Sequence, residues 1–97
     1  MKNALVCLFL VAPLAIAHAA GTTADAKKAY TAKDYKNAAA IAKPLAPTDA
    51  EANRVFGAAS CYLKDEKSAK AAYARADGQA QQFLRFACQQ NGIKLDE

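Results

Sequence analysis

The sequence has one histidine, at position 18, and three cysteines, at positions 7, 61 and 88. Histidine is the side chain that most often moves protons or holds metals near neutral pH. Its scarcity leaves Ser60 and Ser68 with no partner to activate them. Beyond residue 19 only Cys61 and Cys88 remain, with no histidine, and such a pair does not make a zinc site. There is no C-x-x-C pair to poise a thiolate and no glycine-rich phosphate loop. Runs of β-branched residues are almost absent, which argues against strands. The expectation is a protein that is not an enzyme and carries no cofactor and no metal.

The opening stretch, MKNALVCLFLVAPLAIAHAA, differs from the rest. Lys2 supplies a short positive start. Positions 5–16 are apolar, broken only by Pro13, and Ala17-His18-Ala19 is a small-x-small site. This is the pattern of a secretory signal peptide, with cleavage expected between Ala19 and Ala20. The apolar run is shorter than the roughly 20 residues a bilayer requires, so no membrane span is expected in the mature chain. Cys7 lies near the start of the run, where a lipoprotein cysteine would follow it. The expected organisation is a signal peptide at 1–19 and a single small domain at 20–97, periplasmic or secreted.

Removal of the leader discards His18 and Cys7 and leaves Cys61 and Cys88. An exported chain meets an oxidising compartment where disulfides persist. A Cys61–Cys88 bridge is therefore expected; two buried free thiols are the alternative. The whole chain carries a net charge of +4, and the part after residue 19 keeps 12 basic and 9 acidic residues, a net +3. The excess is mild and dispersed, which does not point to nucleic acid but permits contact with anionic envelope surfaces.

The remaining sequence is rich in alanine, lysine, glutamine and arginine, a helix-forming composition. Punctuation divides it into helices at about 23–32, 35–45, 48–63, 66–76 and 79–90. Pro44 closes the second. Thr48 and Glu51 read as a capping box opening the third. Gly92 and Ile93 read as a Schellman close after the fifth. Short turns make consecutive helices antiparallel neighbours. The fold class is all-α, either a stack of helical hairpins or a bundle of four or five helices.

Two stretches share a spacing. From Gly57, Ala69 follows after twelve residues, Tyr73 after four more and Ala76 after three more. From Ala26 the same steps reach Ala38, Ala42 and Leu45, and Asp34 and Asp65 lie eight residues after the two starts. Over residues 24–93 the sequence thus resembles the tetratricopeptide-repeat family. It departs at Ala26, where glycine is preferred, at Ala42, where an aromatic is preferred, and at Asp25, where leucine is. The units are 31 residues apart, shorter than the family's repeat of about 34; the shortfall falls in the LAPTD connection. Cys88 to Ile93 also resembles a C-x-x-x-G-I close seen in small repeat modules of bacterial envelope and kinase proteins. The resemblance implies about two helical hairpins and a C-terminal capping helix.

In such a stack the third and fifth helices run side by side. Phe56 and Phe83 would share one level, and Cys61 and Cys88, each five residues on, would meet at the next. Tyr35, Phe56, Tyr73, Phe83, Leu84 and Ile93 are assigned to the core, with Phe86 either joining them or exposed as a contact. The first helices of the pairs would form a concave face carrying Lys27, Tyr30, Arg54, Tyr62, Arg85 and Gln89. Tyrosine and arginine are common interface anchors, and three basic residues on one face suit a carboxylate or an acidic, extended segment; a merely solvated helix face is the alternative. The expected function is a non-enzymatic interaction or scaffold module for an envelope or secreted protein. The alternatives are a small cationic protein that binds anionic envelope polymers, and a secretion accessory or toxin antagonist.

Overall fold

The structure, a computed structural model, describes residues 21–95. The signal peptide expected at 1–19 and its cleavage site lie outside the described residues. Those described form five helices and no strand: α1 (Thr23–Thr31), α2 (Tyr35–Ala42), α3 (Ala50–Tyr62), α4 (Glu66–Arg75) and α5 (Gly78–Gln89).

Aspartate starts four of them. Asp34, Asp49, Asp65 and Asp77 are the N-caps of α2 to α5, each accepting from free amides of the first turn. The capping box expected at Thr48 and Glu51 is not formed. Asp49 caps α3 instead, taking the Glu51 and Ala52 amides on Oδ1, because the helix begins at Ala50 and leaves Asp49 as the extended residue just before it. A capping box does open α1, where Thr22 and Asp25 exchange side-chain-to-backbone bonds. At its other end α2 stops at Ala42, short of the expected 45, because Pro44 ends the regular ladder; turn bonds from Leu45 and Ala46 back to Ala42 carry the chain on.

The turns α1–α2 and α3–α4 are built alike. Lys33 and Lys64 take left-handed φ of 66° and 63°. Each donates to a carbonyl three residues back, and the aspartate that follows donates to one five residues back. That is the Schellman pattern with lysine where glycine is favoured. The same pair of bonds closes α5, with Gly92 at φ 77° and Ile93 buried.

Helices α1, α3 and α5 run parallel. Thr23 reaches Asp49 and Lys27 reaches Glu51 between α1 and α3. Gly57 meets Leu84, Cys61 meets Cys88 and Lys64 meets Asn91 between α3 and α5 and just beyond their ends. Helix α2 packs on α1 and α3, and α4 on α3 and α5. Helix α3 is thus the centre of the domain, touching the other four, and most of its residues are buried.

The core is made of small side chains. Ten alanines are buried, and the largest fully buried side chains are only Leu84, Cys61, Cys88 and Ser60. Small residues let the helices approach closely, as they do at Gly57. A Cβ there would lie 2.8 Å from both the Ala72 Cβ and a Leu84 methyl. Cys61 and Cys88 are joined, with Cα atoms 4.6 Å apart, inside the range a disulfide requires.

Candidate interaction face

One concavity opens where α1, α3 and α5 come together, and another beside it where the start of α3 meets the α4–α5 connection. The smaller, about 160 Å³, is lined by Lys27, Tyr30 and Thr31 from α1, Glu51, Arg54 and Val55 from α3, and Phe83 from α5. The larger, about 390 Å³, lies at the N-terminal ends of α3 and α5 between Pro47, Asp49, Asn53, Arg75 and Asp77. Arg54 borders both.

The three expected bases have different settings. Lys27 is paired with Glu51 at 2.7 Å, both side chains half exposed. Arg85 is turned to α4, where it donates to the Tyr73 hydroxyl and lies over the Tyr73 ring at 5.7 Å; it lines neither concavity. Arg54, like Arg85, has no acid partner among the described residues, and unlike Arg85 it borders the concavities. Its guanidinium lies 5.7 Å from the centre of the Phe83 ring, a cation–π contact that fixes the head group while leaving its N–H edge open.

The tyrosines form a cluster of their own. Tyr35 and Tyr62 stack at 4.2 Å, and Tyr30 meets both edge-on at 5.5 and 6.1 Å. The cluster joins α1, α2 and α3. Burial, with the neighbouring Tyr62 and Tyr35 hydroxyls and a hydrogen bond to Tyr62, pushes the Tyr30 hydroxyl from an ordinary 10.0 up to about 12, so it stays a neutral donor at any physiological pH. Tyr62 therefore packs as much as it presents itself, and Gln89 is exposed on α5.

Phe83, assigned to the core, is 38% exposed, whereas Phe56 is buried at 6%. The two share a level, but among the described residues α3 is covered by helices on both flanks and α5 on one only. Phe86 is 61% exposed. Tyr35 and Tyr73 are half buried.

Some contributors were not singled out from sequence. Thr31, Glu51 and Val55 line the smaller concavity because they follow the helical spacing of Lys27 and Arg54. Asn53, 3% exposed, donates to the Ala72 carbonyl at 2.9 Å and accepts from Arg75 Nε at 3.0 Å. Both ends of its amide are thus used to hold α4 on α3. The signal for it was an asparagine placed among the alanines of α3.

Among the described residues there is no group of three or more metal-ligating side chains, and no helix is long and apolar enough to cross a membrane. No protein-family model matches the sequence, no curated protein matches it, and no solved structure matches its fold.

Proposed function

We propose that the chain is an exported, non-enzymatic interaction module of tetratricopeptide-like type that holds an extended, acidic segment of an envelope or secreted protein. The observation that carries this reading is Arg54. It has no acid partner among the described residues, is braced on a half-exposed aromatic ring, and stands between two concavities that a single extended strand would cross. A guanidinium held in this way offers a paired N–H edge to a carboxylate. Val55, Tyr30 and Phe83 supply apolar area on one side, and the exposed Thr48 and Arg75 supply polar groups on the other. The opening segment supports export, and a bridge between Cys61 and Cys88 suits an oxidising compartment.

The test is capture from the envelope fraction with wild-type protein and with Arg54→Glu, the retained proteins being identified by mass. An arginine anchor is worth about 2 kcal/mol or more, roughly 30-fold in affinity. The variant is expected to lose the specific partner and keep its helical spectrum. Equal recovery by both proteins overturns the reading. Equal retention of both on lipopolysaccharide, falling steeply with salt, would instead support a cationic polymer-binding protein.

A further inference from the structure

Asn91 is the one asparagine of the sequence that glycine follows. In that dipeptide the backbone nitrogen of the glycine can attack the asparagine carboxamide, because glycine has no Cβ to hinder the approach. Asn91 is half buried and Gly92 exposed, just past the end of α5, so water reaches them. Their hydrogen bonds keep the reacting groups apart. Asn91 Nδ2 donates back to the Ala87 carbonyl at 2.8 Å. The Gly92 N–H donates to the Gln89 carbonyl at 3.2 Å. Nucleophile and target are thus tied to different carbonyls of α5, and ring closure has to break both bonds.

The disulfide bears on this dipeptide from two sides. The carbonyl of Cys88 accepts from the Asn91 and Ile93 amides, each at 2.9 Å. The carbonyl of Asn91 accepts from Lys64 Nζ at 2.9 Å. Lys64 lies three residues after Cys61, and Asn91 three after Cys88. The bridge that joins the cysteines therefore also sets Lys64 against Asn91, while buried Ile93 pins the far side of the close.

We infer that Asn91 is a deamidation site that the closed end of α5 holds off and that opening of the Cys61–Cys88 bridge releases. A dithiol opens the bridge by exchange, taking up the disulfide as the two cysteines become thiols. In the freed chain the Gly92 nitrogen forms a bond to Asn91 Cγ and gives its proton to solvent. The Cγ–Nδ2 bond breaks and ammonia leaves, giving a five-membered succinimide. Water then adds to either ring carbonyl and the ring C–N bond breaks, leaving aspartate or isoaspartate at position 91. No oxidation is involved in these later steps. Loss of ammonia makes the change one-way. A carboxylate cannot donate to the Ala87 carbonyl, and isoaspartate adds an atom to the main chain between the two amides that share the Cys88 carbonyl. A chain that has once been opened is thus marked at the end of α5. The inference is independent of the Arg54 reading, since Asn91 and Gly92 line neither concavity.

The test keeps bridged protein and the reduced, alkylated chain side by side at slightly alkaline pH. Trypsin then releases the peptide 86–94, between Arg85 and Lys94, which is weighed and fragmented; isoaspartate is counted by enzymatic methylation. Residue 91 of the reduced chain is expected to gain the mass of an acid over an amide. The bridged protein should convert at least about tenfold more slowly, because only locally opened molecules react. Gly92→Ala should slow the reduced chain at least about tenfold by hindering the attack. Ile93→Ala, bridged and with an unchanged helical spectrum, loosens the close and should convert several-fold faster than the bridged parent. Equal rates in the bridged and reduced chains overturn the proposal, as does a mass gain confined to Gln89 or Gln90. An Ile93→Ala protein that converts no faster than its parent overturns the guard assigned to the close. A Cys61→Ala, Cys88→Ala protein that keeps its helical spectrum and converts as slowly as the bridged parent overturns the part given to the bridge.

Discussion

Replacing Gly57 with alanine sets two effects of opposite sign against each other. In mid-helix, alanine is favoured over glycine by about 1 kcal/mol, because glycine loses more backbone entropy on folding. If helix propensity decided the outcome, the variant would be more stable than the parent. The structure argues otherwise. The added methyl would stand 2.8 Å from the Ala72 Cβ on α4 and 2.8 and 3.1 Å from the two Leu84 methyls on α5. The Ala72 Cβ is fixed to its backbone, so relief there requires α4 to move. Leu84 is wholly buried and has little room to change rotamer. Overpacking of this kind costs about 1–3 kcal/mol. The net expectation is a loss of up to about 2 kcal/mol, towards the upper end because two neighbours must yield at once. Urea unfolding followed by circular dichroism measures it directly. The same substitution made in a Leu84→Ala background meets one obstacle fewer and should cost less, with a coupling of about 0.5 kcal/mol or more. A Gly57→Ala variant more stable than the parent by about 1 kcal/mol would show that the three helices do not meet at this residue.

Three further outcomes are expected. Replacing Cys61 and Cys88 together with alanine reopens a loop of 27 residues' separation and should cost about 3.5 kcal/mol by the chain-entropy account; because both residues are wholly buried, a mild reductant should leave the wild-type bridge intact until denaturant is added. Lys33→Gly removes a left-handed lysine and should add about 0.5–1 kcal/mol, with a smaller gain for Lys64→Gly, which also loses a bond from Nζ to the Asn91 carbonyl; both are read from the same urea curves. The Asp49 carboxyl is held below its ordinary 3.8 by the Thr23 hydroxyl, then by the Ala52 and Glu51 amides. A carboxyl depressed in the folded state stabilises above its unfolded pKa and loses that contribution as pH falls through the folded one, so Asp49→Asn should flatten the acid limb of the stability profile below about pH 4 and change its slope little above.

Much of the fold is legible in the sequence because its punctuation is local. Asp34 and Asp65 cap their helices through their own next few amides, and Pro44 stops a helix by lacking one, so neighbouring residues suffice to place those boundaries. The partnership of Cys61 and Cys88 is legible for a different reason: each lies five residues after a phenylalanine, and parallel helices convert equal spacing into equal height. Thr48 against Asp49 was not resolvable by pattern, since both are good caps and only the backbone angles decide which one faces the amides. The fate of charged side chains was the least legible part. Arg85 lies on α5 as Arg54 does on α3, yet Tyr73, twelve residues away in sequence, turns it to the other flank. Lys27 looks free in the sequence, and Glu51 of a different helix neutralises it. Phe83 and Phe56 have like sequence settings and differ in burial because, among the described residues, α3 is flanked by helices on both sides and α5 on one.

The central claim is an exported helical domain fastened by Cys61–Cys88, and intact mass tests it most directly. Protein recovered from the envelope compartment is weighed before and after reduction and alkylation. The account predicts a chain beginning at Ala20, lighter by two hydrogens than its reduced form, with both thiols unreactive until reductant and denaturant are supplied. A full-length chain with Cys7, Cys61 and Cys88 all open to alkylation would contradict it.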